Sequence, residues 1–372
     1  MSPRTEYVGR FEAKPEKRQS LRRVSGWLAL LIILLVGAAR LGTEAFRLLG
    51  YYDLFLSGRN LLQNQEVSSV EIADHLTDGE GATIPVRRLD DGKTVIYQGH
   101  TYHLNENLAT VLVLGIDQKI TEEDATYGEG GQCDVIMLVG LDTKTGEATV
   151  LNLSRESYGQ VEVYAKDGVY IETRYEQLAL AYAYGNGKDS SCENAVRAVS
   201  RILYGLPISS YVAIDMEGIT EANEAVGGVT VVSMIDYDKN NIKFVKGEPV
   251  ELHGEAVDRY IRYRTSTMTG NEARMLRQRQ WLTEFSQLVV TRSIKRITFP
   301  VTLFSSLSPY MATSLKVPDV TFLSRCFLQH GARFEFRNVA GTYDILNKSA
   351  VYYLDEVDLF EAVLQVFYLR ED

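Results

Sequence analysis

Apolar segments of two kinds alternate along residues 110–290, and this alternation most constrains the fold. Runs rich in β-branched residues predict the strands Thr110–Leu114, Val135–Leu141, Ala148–Leu153, Tyr211–Ile214 and Val229–Val232. Segments of helical periodicity predict the helices Leu178–Tyr184, Asn194–Leu203, Thr220–Ala225, Glu255–Tyr260 and Glu272–Val290. Alternation of this kind is typical of α/β domains. We therefore predict a layered α/β/α domain built on a central mixed sheet.

The N-terminal 40 residues have the charge pattern of a membrane anchor. Residues 1–23 contain seven Lys or Arg against three acidic residues, and the sixteen residues Val24–Ala39 carry no charge. This length is at the short limit, since a helix needs roughly 17–25 residues to span a bilayer. Arg23 and Arg40 can extend their head groups outward and lengthen the span. We predict a transmembrane helix over 24–40 that tethers the domain.

The positive-inside rule gives the topology of this anchor. A basic N-terminal flank predicts a cytoplasmic tail at residues 1–23, and places everything after residue 40 outside the cell. Gly37-Ala-Ala39 resembles the small-residue site at which signal peptides are cleaved, so a removed signal remains an alternative. The favoured interpretation is a single-pass protein of the cell membrane with an extracellular domain.

Composition excludes several classes of function. The formal net charge is −10 and the basic tail is its most positive part, which argues against nucleic-acid binding. Three cysteines, Cys133, Cys192 and Cys326, cannot form a disulfide framework; a Cys133–Cys192 bridge stays an alternative. No HExxH zinc motif, nucleophile elbow or P-loop is present.

Six arginines and no lysine are concentrated near the end of the α/β region. They are Arg259, Arg262, Arg264, Arg274, Arg277 and Arg279. Arginine in place of lysine favours forked recognition of oxyanions such as phosphate. A salt-bridged helix surface would also explain such a run.

Two predicted loops bring acidic residues toward one edge of the sheet. If the second and third strands are antiparallel neighbours, Asp134 at the start of one lies beside Arg155 at the end of the other. If the first strand runs parallel to the third, Asp117 emerges at the same edge. Each aspartate alone is more commonly a turn or helix cap. Together the two carboxylates predict a site for Mg²⁺ or Mn²⁺, completed by water and substrate phosphate.

The arginines form two short arrays that could bind a diphosphate from different sides. Arg262 and Arg264 are spaced i, i+2, so an extended backbone would place them on one face. On the following helix, Arg274, Arg277 and Gln278 share a face at i, i+3 and i+4. A metal ion and arginines around a diphosphate are suited to phosphoryl transfer, in which charge neutralisation and positioning supply most of the rate.

Several short motifs occur in a specific order and spacing. They are Val113-Leu-Gly-Ile-Asp117, Gln132-Cys-Asp-Val-Ile136, Leu153-Ser-Arg-Glu156, Ala181-Tyr-Ala-Tyr-Gly185, Tyr211-Val-Ala-Ile-Asp215, Val226-Gly-Gly-Val229, Gly254-Glu-Ala256, Arg262-Tyr-Arg264 and Arg274-Met-Leu-Arg-Gln278. With them the chain resembles the LytR-CpsA-Psr family of cell-envelope enzymes. The resemblance is strongest over about residues 105–290 and looser toward the C-terminus.

The resemblance implies a metal-dependent phosphotransferase. Such enzymes move an anionic glycopolymer, for example teichoic acid or capsule, from a polyprenyl-diphosphate carrier to peptidoglycan, while an apolar slot between sheet and helices holds the lipid. It implies Asp117 and Asp134 as metal ligands. It also implies phosphate-binding or catalytic roles for residues of the arginine run and its neighbourhood. We assign catalysis to Arg155, Arg264 and Arg274, and diphosphate binding to Arg262, Arg277 and Gln278.

With the resemblance, the chain divides into five parts. After the tail and the membrane helix, residues 41–106 form a juxtamembrane stalk and a leading hairpin, 107–292 the catalytic domain, and 293–372 a C-terminal extension packing on it. The hairpin is predicted from Thr94–Tyr97 and Thr101–Leu104. Within these parts, Asp74–Asp91 is predicted to be a flexible connection, and Val351–Phe367 a terminal helix with its preceding turn.

The chain departs from the family at several positions that carry charge. Gln132 stands where an arginine is usual, Glu156 where an aspartate is usual, and Asn271 where an aspartate is frequent; Gln177 and Ala179 replace a frequent lysine and asparagine. Two alternatives therefore stay open. The chain could hydrolyse polyprenyl diphosphates, or it could bind lipid-linked glycan without turnover, in a regulatory role.

Overall fold

A computed structural model describes residues 44–45, 47–56, 75–77, 83–89, 93–121, 123–264, 270–330 and 333–371 of the chain. The strands are β1 His75–Thr77, β2 Thr83–Arg88, β3 Thr94–Tyr97, β4 His100–Leu104, β5 Leu108–Ile116, β6 Cys133–Asp142, β7 Glu147–Leu153, β8 Tyr158–Tyr164, β9 Tyr170–Gln177, β10 Ser210–Asp215, β11 Val229–Val232, β12 Tyr237–Lys239, β13 Ile242–Phe244, β14 Pro249–Leu252, β15 Met311–Thr313, β16 Arg333–Asn338, β17 Gly341–Leu346, β18 Ser349–Leu354 and β19 Tyr368–Arg370. The helices are α1 Leu180–Ala183, α2 Asp189–Ile202, α3 Met216–Ala225, α4 Glu255–Arg262, α5 Gly270–Lys295, α6 Phe299–Leu307, α7 Val317–Gln329 and α8 Glu356–Phe367.

A mixed six-stranded sheet forms the centre of the described chain, in the order β15-β10-β5-β6-β7-β16. β5, β6 and β7 are antiparallel neighbours, whereas β10 pairs with β5, and β16 with β7, in parallel. The five predicted strands are all present, with ends within two residues of the prediction. The prediction of an α/β fold on a central mixed sheet is therefore confirmed. The C-terminal part contributes both edge strands, β15 and β16.

The two faces of the central strands differ in burial. On one face, the side chains of Leu112, Leu114 and Leu138 are inaccessible to solvent and pack in the main core with residues of α2 and α8. Since successive strand residues point to opposite faces, the intervening residues form the second face. That face is only half-buried at Val111, Val113, Val135 and Val139. Central strands with one half-open apolar face leave a surface that a further apolar group can cover.

A second sheet, in the order β1-β2-β3-β4-β19, packs on the main core through Leu76, Val86, Val95 and Tyr97. The predicted hairpin is confirmed as β3 and β4, joined by Gln98-Gly99 with φ of 49° and 80°. Positive φ at both turn residues is the geometry that tight hairpins require. The polar stretch 74–91 differs from prediction, because its described part includes strands β1 and β2.

A second apolar core joins α3, α4 and α5 to strands β11 and β14. Val229, Val257, Tyr260 and Trp281 are buried there. The Trp281 indole donates to Asn223 Oδ1 on α3 at 3.1 Å. This core fixes the end of α4 against the first turns of α5, the two helices that carry the arginine run.

The chain before the second sheet packs against α7. Residues 47–51 are helical and lead into a π-helical turn, Tyr52–Leu56. The rings of Tyr51 and Phe55 lie 5.7 and 6.2 Å from that of Phe322, and Glu44 forms an ion pair with Arg325. Part of the stretch predicted as a stalk is thus attached to the domain.

Two predictions at the chain ends have different outcomes. The predicted transmembrane helix, residues 24–40, lies outside the described residues. Within the described ranges, no helix has both the length and the apolar composition needed to cross a membrane. At the other end, the terminal helix is confirmed as α8, but the residues before it, predicted as a turn, belong to β18.

Candidate active site

Three strand ends meet at one edge of the central sheet. Ile116, the last residue of β5, pairs with Cys133, the first residue of β6, and Ile136 of β6 pairs with Leu153, the last residue of β7. Since β6 is antiparallel to both neighbours, the loops after β5 and β7 emerge beside the start of β6. The strand directions assumed from the sequence are therefore correct, and Asp117, Asp134 and Arg155 lie at one edge.

Backbone hydrogen bonds hold Asp117 in place. The Asp117 amide donates to the Gln132 carbonyl at 3.1 Å, and the Gln132 amide donates to Asp117 Oδ1 at 2.7 Å. The second carboxylate oxygen, Oδ2, has no hydrogen-bond partner among the described residues. Asp117 is thus fixed with one oxygen available to another ligand.

Asp134 lies between two guanidinium groups. Arg155 donates from Nη1 to Asp134 Oδ1, and Arg274 Nη1 lies 3.4 Å from the same oxygen. Arg155 also donates from Nη2 to Gln132 Oε1 at 2.6 Å. The side chains of Asp134, Arg155 and Arg274 are 15%, 16% and 5% exposed. We call Gln132, Asp134, Arg155 and Arg274 the Asp134 cluster.

The Asp134 cluster is a buried site with excess positive charge. Burial lowers the pKa of Arg274 from its usual value, because the low-dielectric surroundings disfavour its charged form; Asp134 acts in the opposite direction. Arg155 Nε is buried and has no acceptor among the described residues. Within these four residues two guanidiniums share one carboxylate, an arrangement that suits an anionic ligand, while the buried Glu156 nearby also raises the pKa of Arg274.

Cys133 lies inside the same arrangement. Burial raises the pKa of its thiol well above the usual value, while the nearby Arg155 acts to lower it and Asp117 and Asp134 to raise it. All three cysteines are buried and unbridged, so the Cys133–Cys192 disulfide is absent. A buried thiol with a raised pKa is a poor nucleophile. Both aspartates and Arg155 thus act on the pKa of this one thiol.

Glu156 and Arg264 form the solvent side of the site. Glu156 is buried and accepts a hydrogen bond from Ser154 Oγ at 3.0 Å. Arg264 Nη2 lies 3.6 Å from Glu156 Oε1, and its side chain is 45% exposed. Arg264 therefore keeps much of its guanidinium accessible at the rim of the cluster.

Three other predicted residues make contacts at the end of α4. Arg262 is the last residue of α4 and pairs with Asp258 at 3.4 Å, so the extended conformation expected for Arg262-Tyr-Arg264 is wrong at Arg262. Tyr263, the next residue, has left the helix, with φ of −51° and ψ of 129°. Arg277 donates from Nε to the Tyr260 carbonyl at 2.9 Å and from Nη2 to Tyr263. Gln278 Nε2 lies 3.5 Å from the Ile261 carbonyl.

These contacts give Arg277 and Gln278 a local structural role. The last carbonyls of a helix have no partner within it and need donors from elsewhere. Arg277 supplies two such donors and joins α5 to α4. The predicted role of Arg262, Arg277 and Gln278 in diphosphate binding stays a prediction. Their described hydrogen bonds and ion pairs lie outside the Asp134 cluster.

A cavity of about 520 Å³ opens beside this helix junction. Its lining includes Met234, Tyr263, Leu276 and Arg277, and it contains no residue of the Asp134 cluster. The cavity therefore shares no lining residue with the Asp134 cluster, and its lining is mostly apolar with two cations, Lys246 and Arg277.

The two aspartates fit a cation that brings most of its ligands with it. Among the described residues, no group of three or more His, Cys, Asp or Glu side chains is arranged to hold a metal ion. Mg²⁺ is commonly bound through one or two carboxylates, with water and substrate phosphates completing the shell. Asp117 and Asp134 supply donors of that type beside a cationic cluster. They would hold such an ion only together with substrate.

Gln132 takes a part in the site that the sequence did not predict. It was identified as a lost charge, but its backbone holds Asp117 and its side chain orients Arg155. Its position directly before β6, at an edge where two other loops meet, was a signal for such a role. The hairpin β8–β9, which starts two residues after Glu156, was not predicted at all.

Comparison with known proteins identifies a family and several relatives of this chain. Residues 78–365 match the model of the LytR_cpsA_psr family. Relatives include the polyisoprenyl-teichoic acid–peptidoglycan teichoic acid transferases TagU of Enterococcus faecalis, 27% identical over 58% of this chain and 64% of that protein, and of Bacillus mycoides, 28% identical over 54% and 55%. The chain thus spans less than two thirds of the length of these curated relatives.

Solved structures share the fold. TagV of Bacillus subtilis superimposes with a TM-score of 0.57 at 22% identity, over 70% of this chain and 96% of TagV. A structure of TagT bound to LIIa-WTA gives a TM-score of 0.53 at 18% identity, over 78% and 98%. At such identities the similarity shows the fold alone. Because the family match covers most of the chain, including every element of the charged site, this protein belongs to the LytR_cpsA_psr family.

Proposed function

We propose that this protein transfers an anionic glycopolymer from a polyprenyl-diphosphate carrier to peptidoglycan on the outer face of the membrane. The observation that carries the proposal is the Asp134 cluster, in which two buried guanidiniums share one carboxylate at a sheet edge. The names of the relatives support it, since they describe transfer of teichoic acid from a polyisoprenyl carrier to peptidoglycan.

The buried arginines would neutralise the diphosphate. Phosphoryl transfer needs charge stabilisation and alignment more than covalent help from the protein. Arg155 and Arg274 already have fixed orientations through Asp134 and Gln132, so little reorganisation is needed when the anion binds. Arg264, accessible at the rim, would contact the phosphate nearer to solvent. In the transfer, the acceptor hydroxyl oxygen bonds to the phosphorus that carries the polymer, the bond from that phosphorus to the bridging oxygen breaks, and polyprenyl phosphate and the hydroxyl proton are released.

Asp117 and Asp134 would bind Mg²⁺ or Mn²⁺ together with the substrate. When bound, the ion would supply further neutralisation of the phosphate oxygens. Asp117 would contribute the carboxylate oxygen that its hydrogen bond to Gln132 leaves available. Asp134 would also bridge the two arginines, since both contact its Oδ1.

The lipid chain would lie against the half-buried face of β5 and β6. That face presents the side chains of Val111, Val113, Val135 and Val139, and it ends at the strand ends that carry the charged site. An apolar surface leading into a cationic cluster matches a lipid diphosphate. The proposed topology, with residues 1–23 inside and 24–40 spanning the membrane, would put this site where lipid carrier and peptidoglycan are both present.

A transfer assay with the full-length chain tests the proposal. Radiolabelled lipid-diphosphate glycan is incubated with peptidoglycan, Mg²⁺ and protein in detergent. The expected result is label in wall polymer. Arg155→Lys should reduce this label at least 100-fold, because lysine lacks the paired N–H donors of the guanidinium group. Release of free phosphorylated sugar would instead show hydrolysis, and unchanged substrate would show binding without turnover. Either outcome would refute the transferase assignment.

Calorimetry tests the metal assignment separately. Binding of a short prenyl diphosphate to the full-length chain should be strengthened by Mg²⁺, and Asp117→Asn should remove this dependence while leaving metal-free binding in place. The exposed Asp124, which pairs with Lys188 at 3.4 Å, provides the matched control Asp124→Asn. Metal dependence that survives in Asp117→Asn would eliminate this residue as a ligand.

A further inference from the structure

One face of the β8–β9 hairpin carries tyrosine and glutamine side chains. Tyr158 pairs with Gln177, and Gln160 pairs with Tyr175, in the antiparallel register. Directly opposed residues, and residues two apart on one strand, share a face. These four side chains therefore lie together on one side of the hairpin.

Tyr353 from β18 extends this face. Its ring lies 5.6 Å from that of Tyr158, which in turn lies 5.7 Å from the ring of Tyr175. Tyr175 is 57% exposed and Tyr353 is 40% exposed, whereas Tyr158 between them is half-buried. We call Tyr158, Tyr175 and Tyr353 the tyrosine cluster. Mutual ring contacts hold its members in place while leaving aromatic surface accessible to solvent.

The tyrosine cluster adjoins the candidate active site. The Tyr352 amide, one residue before Tyr353, donates to the Glu156 carbonyl at 2.8 Å, and Ser157 forms a bridge with Tyr352. Tyr158 is two residues from Glu156, whose carboxylate contacts Arg264. The strand carrying Tyr353 and the strand carrying Tyr158 are thus both attached at the rim of the charged site.

The chemistry of this face suits sugars. A sugar ring has an apolar C–H face that stacks on aromatic rings, and a rim of hydroxyl and amide groups that form hydrogen bonds. The tyrosine rings supply the stacking surface, and Gln160, which is exposed, supplies an amide group, whereas Gln177 donates from Nε2 to the Ala350 carbonyl. Glu172, Arg174 and Glu176 alternate with the residues of this face and point to the other side of the hairpin.

The charged residue that shares this face, Glu162, is buried and paired with Arg197 and Arg201, so the exposed part of the face carries no charge. This absence of exposed charge distinguishes two sources of sugar. The glycopolymer donor of the proposed reaction is anionic, and its phosphates would favour arginine or lysine. The glycan strand of peptidoglycan is a chain of N-acetylated sugars. An uncharged aromatic and amide surface therefore matches the acceptor better than the donor. A lipid tail would favour an aliphatic groove without amides.

We infer that the tyrosine cluster is the acceptor subsite, which binds N-acetylated sugars of the peptidoglycan glycan strand beside the diphosphate site. The inference rests on the proposed function for the identity of the acceptor. The binding surface itself rests on exposed rings that contact one another and on their attachment at Glu156.

Oligosaccharide binding tests the subsite without catalysis. The probe is the tetramer of N-acetylglucosamine, titrated by NMR into the full-length chain in detergent. Tyr175→Ala should weaken binding about tenfold because a stacking surface is lost, whereas Tyr175→Phe should retain it within about twofold. Tyr170, 53% exposed at the far end of the hairpin, gives the matched control Tyr170→Ala, which should bind normally. Equal affinity of Tyr175→Ala and the unmodified protein would overturn the inference.

The transfer assay separates acceptor from donor. Tyr175→Ala should raise the KM for the glycan acceptor and leave the KM for the lipid-linked donor unchanged. A raised donor KM with an unchanged acceptor KM would overturn the assignment as acceptor subsite. Inorganic pyrophosphate provides the independent readout, because its binding at the Asp134 cluster should be the same in Tyr175→Ala. Loss of tetramer binding in this variant would support the subsite even in a chain that failed to transfer polymer.

Discussion

Replacement of Asp134 by asparagine tests whether the charged cluster behaves as one electrostatic unit. The substitution keeps the size and one acceptor oxygen but removes the carboxylate charge that both Arg155 and Arg274 contact. Both guanidiniums then lose a shared counter-charge, and the buried Glu156 still acts on Arg274. We expect the ligand-free protein to be destabilised and its affinity for anions, measured without metal, to rise.

The separation of the charges gives the size of the effect. At 3.4 Å, the distance from Asp134 Oδ1 to Arg274 Nη1, opposite unit charges attract by about 5 kcal/mol at an effective dielectric constant of about 20. The free energy that burial costs the aspartate offsets part of this, and removal of one partner from a buried pair generally costs about 3–5 kcal/mol. Since the amide still accepts one hydrogen bond, we expect the free energy of unfolding to fall by about 3 kcal/mol. At about 2.1 cal/mol/K of unfolding entropy per residue, this corresponds to a Tm lower by about 5 °C for the roughly 290 described residues.

Thermal and urea denaturation of the full-length chain in detergent measure this change. Asp124→Asn is the matched control, since its exposed ion pair should contribute about 0–1 kcal/mol. Without metal, inorganic pyrophosphate should raise the Tm of Asp134→Asn more than that of the unmodified protein, because binding to the folded state stabilises it. Equal stability of Asp134→Asn and the unmodified protein, or equal shifts with pyrophosphate, would refute the electrostatic reasoning.

Three other predictions concern groups outside the cluster. Arg277→Lys should lower the free energy of unfolding by about 1–3 kcal/mol, measured by urea denaturation, because lysine cannot bridge the Tyr260 and Tyr263 carbonyls; the metal dependence of diphosphate binding should not change. Burial alone would raise the pKa of Glu162, but hydrogen bonds from Tyr164 and from an arginine of α2 outweigh it and hold the pKa below 4.5. Glu162 should therefore stabilise the fold above pH about 4.5 and lose this contribution as the pH falls further. Denaturation series from pH 3 to 7 should show that the free energy of unfolding depends less on pH in Glu162→Gln than in the unmodified protein. All three buried thiols should react slowly with a thiol reagent in the folded protein and rapidly after unfolding, as counted by absorbance.

The sequence was most informative where local pattern and tertiary structure agree. The strand at Val229–Val232 has the predicted ends, because two adjacent glycines stop the preceding helix and β-branched residues follow. The strand directions at the active-site edge were also predictable, since a short turn between β6 and β7 forces them to be antiparallel. These two facts were sufficient to bring Asp117, Asp134 and Arg155 together.

Where the prediction failed, the deciding information was not local. Arg262-Tyr-Arg264 was expected to be extended, but Ile261 is buried in the second core and keeps the preceding turn helical. The β8–β9 hairpin lacks the alternation of a half-buried strand, because β9 is almost wholly exposed. Its position depends on pairing with β8 and on contacts with β18. Neither leaves a periodic signal in the sequence.

Gln132 shows why a missing family charge does not by itself predict a weaker site. An arginine at this position could not accept the hydrogen bond that Gln132 Oε1 receives from Arg155 Nη2. It would also add a third guanidinium beside Arg155 and Arg274, which already share the Asp134 carboxylate. The glutamine side chain instead orients the guanidinium of Arg155, and its backbone amide orients Asp117. One residue thus links the predicted metal ligand Asp117 to Arg155. In this chain, orientation of the remaining charges replaces the additional charge, and preorganised charges are what stabilise a phosphoryl-transfer transition state.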